Sequence, residues 1–277
     1  MTTGDVAVRV RDVSHHFGEP GDKQHVRALL DTSLDIQRGE LLCLIGPSGC
    51  GKSTLLNMIG GLLEPSSGTV EVAGKPVRGP LPRDIAFVFQ ENALFPWCTV
   101  IENVKLGMVF QGVAKSEQDA RARKSIEAVG LKDFMNHYPA QLSGGMRQRA
   151  ALARALSLET DIILMDEPFG ALDEQTRMIL GEDLSVLLAA TGKTIVFVTH
   201  DMDEAVMLGD RVAVMAQGGR GVEGGDRHQD VGSEPVPVGQ RPAPFRVAEG
   251  RQSERADQRD TAHEGIRDPK ARDDQEQ

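Results

Sequence analysis

Short apolar runs alternate with helix-spaced segments along the chain as far as Met215. Val6–Val10, Leu41–Ile45, Ile85–Phe89, Ile162–Met165, Ile195–Val198 and Val212–Met215 read as strands. Helical spacing falls between them, in Lys52–Ile59, Ser116–Val129, Gly145–Leu156 and Glu174–Ala190. Near-continuous apolar strands separated by helices predict an α/β fold with a mainly parallel sheet covered on both faces. Residues 92–158 are almost free of strand pattern, which predicts a helical subdomain inserted into the sheet-bearing core.

The pattern stops after Gln217. Residues 218–277 contain neither Leu nor Met, and Arg, Asp, Glu, Gln, Gly and Pro dominate. So few large apolar side chains do not offset the entropy of ordering the segment. The chain is therefore divided into an ordered domain, 1–217, and a low-complexity tail, 218–277, expected to be disordered. Deleting residues beyond Gly225 is expected to spare the activity of the domain.

Composition narrows the function. A net charge of −10 and a pI near 5.2 leave no basic stripe for displacing counterions, so no nucleic-acid partner is expected. Cys43, Cys50 and Cys98 form neither a disulfide frame nor a zinc set, and read as free thiols in a reducing compartment. The first residues, MTTGDVAVRV, lack a basic stretch followed by an apolar one, and no apolar run approaches the ~20 residues that span a bilayer. A cytoplasmic protein is expected, with membrane work assigned to another chain.

GPSGCGKST, covering Gly46, Pro47, Ser48, Gly49, Cys50, Gly51, Lys52, Ser53 and Thr54, matches the phosphate-binding pattern G-x-x-x-x-G-K-[ST]. It follows the strand LLCLI and opens a helix, so backbone N–H groups and a helix N-terminus converge on phosphate. Lys52 is placed to reach the β- and γ-phosphates, and Ser53 to offer its hydroxyl to Mg²⁺.

IILMDEP ends an apolar strand in two acids. Asp166 falls at the carboxyl edge of the sheet, where open α/β sheets bind ligands, and is the candidate for Mg²⁺ coordination. Glu167 is the candidate general base. Alone, such a pair reads equally well as solvated; behind a phosphate loop it reads as metal ligand and base.

Ser143, Gly144 and Gly145 precede the helical run 146–156 and form a second anion cradle. One triphosphate needs only one cradle, so the second is assigned to the nucleotide of a partner subunit.

With these residues in hand, the chain resembles the ATP-binding subunits of ABC transporters. Gly46–Ser53 match Walker A, Gln90 the Q-loop, Leu142–Arg149 the signature, and Asp166-Glu167 Walker B with its catalytic acid. Ala171–Asp173 match the D-loop, and His200 in FVTHD the switch histidine. The resemblance implies a P-loop core with an N-terminal antiparallel β portion. It also implies a head-to-tail dimer holding two ATP between one chain's Walker A and the other's signature, with Asp173 acting across the interface. His200 is expected at the γ-phosphate, Gln90 at Mg²⁺ and the attacking water, and Phe17 on adenine; Phe17 reads equally well as core. His15 and His16 are expected to be exposed and without a chemical role.

FQENALFPWCTVIENV, QLSGGMRQR, MDEPFGALDEQTR and VTHDMDEAVMLGDRV resemble the nitrate/sulfonate/taurine importers. That branch implies a separate permease and, indirectly, a solute-binding protein outside the membrane. Phe95, Pro96 and Trp97 are then expected to meet the permease; packing of Trp97 into its own helical subdomain is the alternative. An importer for another solute, or an exporter, shares most of these residues. A non-transport ATPase of DNA repair is disfavoured by the absence of long insertions and of a basic surface. A module that holds ATP without hydrolysing it is disfavoured by Lys52, Glu167 and His200. After DRVAVM the text departs from the importer pattern, which continues into a hairpin and C-terminal helices.

Overall fold

The computed structural model describes residues 5–18, 25–170, 172–216 and the pair 236–237. Ala171 and the tail assigned to 218–277, apart from that pair, lie outside the described residues.

Four strands form an antiparallel sheet. β1 (Val6–Phe17) and β2 (Val26–Gln37) pair along most of their length, and β4 (Ser67–Val72) and β5 (Lys75–Pro76) complete the order β2-β1-β4-β5. The register of β1 against β2 shifts several times, and Asp12 and Asp31 take positive φ of 47° and 40°. These bulges break the strict alternation by which sequence pattern announces a strand.

The second sheet carries the site. β3 (Leu41–Ile45), β6 (Ile85–Val88), β7 (Ile162–Asp166), β8 (Thr194–Val198) and β9 (Arg211–Val214) run parallel in the order β9-β3-β8-β7-β6. A two-residue strand, β10 (Val236–Pro237), joins β9 antiparallel. β3 and β8 are buried at every position, which is why they read as continuous apolar runs. Two apolar clusters cover the two faces. One joins this sheet, α1 (Lys52–Ile59) and the antiparallel sheet through Leu42, Leu44, Leu55 and Val10. The other sets Cys43, Met165 and Phe197 against Leu180 and Leu184 of α5 (Glu174–Ala189) and Ala205 of α6 (Met202–Leu208).

A third cluster belongs to the strand-free region. α2 (Val100–Phe110), α3 (Lys115–Ala128) and α4 (Gly144–Leu156) pack Val104, Met108, Ile126 and Ala150 together, all nearly inaccessible to solvent. α2 begins at a reciprocal cap: the Thr99 side chain accepts from the Glu102 amide, and Glu102 accepts from the Thr99 amide at 2.7 Å. Among the described residues, no helix is long and apolar enough to cross a membrane.

Candidate active site

The strand order decides which residues meet. β3, β8, β7 and β6 are neighbours, and in the same direction the chain leaves them at Gly46, Thr199, Glu167 and Phe89. Four segments far apart in sequence therefore share one carboxyl edge of the sheet.

The glycine loop is shaped by contacts as well as by conformation. A Cβ on Gly46 (φ 155°) would fall 2.4 Å from the carbonyl oxygen of Met215, and one on Gly51 (φ 100°) 2.4 Å from that of Ala28. Any larger residue would push the loop off β9 or β2. Gly49 (φ 80°) faces open space instead. Lys52 is buried at 5% exposure, and its ammonium donates to the carbonyls of Gly46 (2.8 Å) and Pro47 (3.2 Å). The Pro47 carbonyl also accepts from the Cys50 amide at 3.3 Å, while the Cys50 side chain is buried beneath the loop. Ser48 is exposed, and Thr54 lies half-buried in the first turn of α1.

Ser53 Oγ donates to Asp166 Oδ1 at 2.9 Å, joining the start of α1 to the end of β7. Burial pushes the Asp166 carboxyl above its usual range, opposed by the Ser53 hydrogen bond and aided by the neighbouring Glu167 charge. Mg²⁺ favours few carboxylates together with waters and phosphate oxygens, so one hydroxyl beside one carboxylate fits it. Among the described residues no cluster of His, Cys, Asp and Glu makes an all-protein metal cage.

Glu167 adopts φ 41°, a left-handed conformation that costs a non-glycine residue energy. Two backbone bonds hold it there: its amide donates to Val198 and its carbonyl accepts from Gly170, both at 3.0 Å. Its Oε2 lies 3.2 Å from His200 Nδ1, so the two groups assigned to hydrolysis are in contact.

Sequence reading missed what fixes His200. Arg177 of α5 donates to Asp201 at 3.1 Å and to the Leu172 carbonyl at 3.1 Å, with its Nε 3.5 Å from Glu204. Thr199 Oγ1 donates to Glu204 at 2.5 Å, and the Asp201 amide donates back to Thr199 at 3.0 Å. Burial raises the Glu204 carboxyl. No local spacing links Arg177 to Asp201, so only the fold reveals this clamp.

The remaining candidates spread outward. Gln90 is exposed, just beyond β6. Phe17 ends β1 half exposed, its ring edge-on to His15 with centroids 4.6 Å apart. His15 corrects an expectation: it is buried at 8% exposure, its Nδ1 is 3.3 Å from Ser66 Oγ, and burial lowers its pKa. The bulges in β1 turn it inward; His16 is exposed as expected. Ser143 caps α4, accepting from the Met146 amide at 3.3 Å. The atoms facing Gly144 and Gly145 belong to Leu172, Arg147, Thr176 and Leu180, none of them to the glycine loop. Asp173 caps α5, and hydrogen bonds from the Thr176 amide and hydroxyl lower its pKa.

The loop 91–99 is held from two sides. Asn103, fully buried, accepts from the Phe95 amide (2.7 Å) and donates to the carbonyls of Phe95, Cys98 and Thr99. Arg154 of α4 donates to the carbonyls of Asn92 (3.1 Å) and Ala93 (2.6 Å). Phe95 and Trp97 stand on this frame with ring centroids 5.4 Å apart, and Trp97 is 71% exposed.

A phosphate-binding loop and an acidic strand end are hydrogen-bonded to each other, and that meeting defines the class: a P-loop nucleotide hydrolase. Comparison with known proteins gives the family. The ABC transporter family profile matches residues 29–170. An uncharacterized ABC transporter ATP-binding protein of Methanocaldococcus jannaschii, MJ0412, is 47% identical over 210 residues, covering 76% of this chain and 78% of that protein. The taurine import ATP-binding protein TauB of Roseobacter denitrificans is 47% identical over 208 residues, 75% and 76% of the two chains. The nitrate import ATP-binding protein NrtC of Synechococcus elongatus is 45% identical over 215 residues, 77% of this chain and 32% of NrtC. Among solved structures, the dimeric ABC transporter cassette MJ0796 superposes with a TM-score of 0.68 at 36% identity, covering 76% and 94% of the chains. Its dimeric post-hydrolysis state with bound ADP and Pi gives 0.67 at 36% identity, with 75% and 93% covered. The chain belongs to the ABC transporter family as an ATP-binding, ATP-hydrolysing subunit.

Proposed function

We infer that this subunit hydrolyses ATP to drive import of a small solute of the taurine, sulfonate or nitrate class through a separate permease. The taurine and nitrate import names of relatives at 44–47% identity support that branch. The observation that carries the catalytic reading is the contact of Glu167 with His200 beside the Ser53–Asp166 pair.

In this mechanism the amides of Gly46–Ser53 and the Lys52 ammonium bind the triphosphate and stabilise charge developing on its oxygens. Ser53 and Asp166 would hold Mg²⁺, Asp166 through water, and the ion would supply positive charge to the triphosphate. Glu167 orients the attacking water and takes up its proton, while His200 steadies Glu167 and meets the γ-phosphate. Gln90 senses the metal and the water, and Phe17 stacks on the base.

A second copy of the chain, arranged head to tail, places its Ser143, Gly144 and Gly145 on the nucleotide. The dimeric form of MJ0796 supports this arrangement. Asp173 couples the two sites. Residues 1–217 form the ATPase domain, with 92–158 as its helical subdomain. The protein acts at the cytoplasmic face of the membrane, docked on its permease through Phe95, Pro96 and Trp97. A solute-binding protein delivers cargo to the opposite face.

The test is Glu167→Gln. This variant should bind ATP as the parent does, form an ATP-trapped dimer and lose at least about 100-fold in turnover. Hydrolysis near the parental rate would remove Glu167 from its role.

A further inference from the structure

Glu167 and His200 leave different strands, β7 and β8, so their 3.2 Å contact depends on how the two outgoing segments are held. After β7 the chain folds back on itself. The Gly170 amide donates to the Glu167 carbonyl and the Leu172 amide to the Phe169 carbonyl, both at 3.0 Å, which ties the place of Leu172 to that of Glu167. After β8 the chain turns through Thr199, His200 and Asp201 into α6, and Asp201 Oδ1 caps that helix by accepting from the amides of Asp203 (2.8 Å) and Glu204 (3.2 Å). At the sheet, the Glu167 amide joins the two segments by donating to the Val198 carbonyl. Beyond the sheet edge, Arg177 joins them again.

Arg177 stands at the start of α5, and its guanidinium reaches both segments with separate nitrogens. Nη2 donates to the Leu172 carbonyl and Nη1 to Asp201 Oδ2, each at 3.1 Å. Nε lies 3.5 Å from Glu204 Oε1, and the other oxygen of Glu204 accepts from Thr199 Oγ1 at 2.5 Å. His200 is thereby bracketed, with Asp201 held directly and Thr199 held through Glu204. The His200 side chain is about half exposed, so its place is set by its backbone more than by packing around the ring. A planar fork that holds acceptors in several directions fixes distances as well as charge. We propose that Arg177 is a positioning residue for ATP hydrolysis, setting the separation of Glu167 and His200 by bracing Leu172 against the loop 199–201. The proposal rests on the assignment of Glu167 and His200 to hydrolysis. Among the described residues the side-chain partners of Arg177 are Leu172, Asp201 and Glu204, none of them in the glycine loop. Its loss therefore belongs in turnover and not in nucleotide binding.

The test is a double-mutant cycle on Mg²⁺-dependent ATP hydrolysis by the full chain, with the parent, Arg177→Met, His200→Ala and the double variant. Arg177→Met keeps the apolar stem and removes the fork. It should lower kcat at least about tenfold and leave KM for ATP within about twofold of the parent. Once His200 is replaced by Ala, the same change should cost less than about twofold more, because its target is gone. A residue that only stabilises the fold would cost the same factor in both backgrounds, and that result overturns the proposal. A raised KM with unchanged kcat, or parental kcat and KM, overturns it too. Arg177→Met leaves Asp201 and Glu204 without this counter-charge; if it does not fold, Arg177→Lys takes its place in the cycle. Lys keeps the charge but not the fork, so the same expectations hold. Parental turnover in His200→Ala would remove the role of His200 and the proposal with it. Lost turnover in His200→Ala, with equal costs of the Arg177 change in both backgrounds, would overturn the proposal alone.

Discussion

Ser53 and Asp166, 113 residues apart in sequence, are joined by a 2.9 Å hydrogen bond from hydroxyl to carboxylate. Asp166 has a half-buried carboxylate next to the Glu167 charge, and its pKa is raised mainly by burial. A carboxyl with a folded pKa above its unfolded one costs stability when ionised, and the cost fades as pH falls through the folded value. Asp166→Asn should therefore raise the melting temperature of the nucleotide-free protein at neutral pH. The gap should narrow toward pH 4 in thermal melts, while Mg²⁺-dependent hydrolysis is lost.

His200 is about half exposed and contributes little packing. His200→Ala should lower turnover by about 100-fold or more while moving stability by less than about 0.5 kcal/mol. Steady-state hydrolysis and a urea titration on the same sample separate these effects; a large stability loss would make the residue structural.

Asn103 satisfies four backbone groups of the loop 91–99 from a fully buried position. Asn103→Leu strips the Phe95 amide and the Cys98 carbonyl of this partner, while the Phe95 and Thr99 carbonyls keep backbone amides, and should cost about 2–3 kcal/mol by denaturant unfolding. Asn103→Asp keeps the acceptor for the Phe95 amide but turns a buried carboxylate oxygen on the carbonyls of Phe95, Cys98 and Thr99, and should destabilise at least as much as Leu.

Arg154 is a mostly buried cation whose hydrogen bonds go to the carbonyls of Asn92 and Ala93, and burial depresses its pKa. It ties the end of α4 to the loop that presents Trp97. Arg154→Met preserves the stem and removes both bonds. It should lower solute uptake per ATP hydrolysed in reconstituted vesicles by a larger factor than it lowers ATP affinity. Equal losses would argue against a positioning role.

Trp97→Ala should leave ATP affinity and melting temperature unchanged, because the indole is exposed. Uptake should fall severalfold or more, since a large aromatic on a stiff loop is the kind of residue on which interfaces depend. Intact uptake would place the permease contact elsewhere.

The parallel sheet was legible because β3, β7 and β8 are buried on both faces and appear as unbroken apolar runs. The glycine loop and the acids after β7 were legible because their chemistry is local. β2 and β4 were not, since half-buried strands with bulges lose the period-two signal; the same bulges hid His15. α2 was absorbed into the apolar text around it, although Thr99 and Glu102 spell its cap. The contacts made by Arg177, Arg154 and Asn103 depend on tertiary placement, which no spacing in the chain encodes. Likewise, Glu167 was identified by its neighbours in sequence, while its left-handed backbone and its contact with His200 emerged only from the fold.

The chain contains one tryptophan and one tyrosine, and the tryptophan is the exposed one on the loop 91–99. Intrinsic emission excited at the red edge thus comes from a single spot on the surface. The subunit carries its own optical label where the permease is proposed to dock. A partner that covers Trp97 should shift its emission to the blue and shield it from iodide, while nucleotide alone leaves it in water.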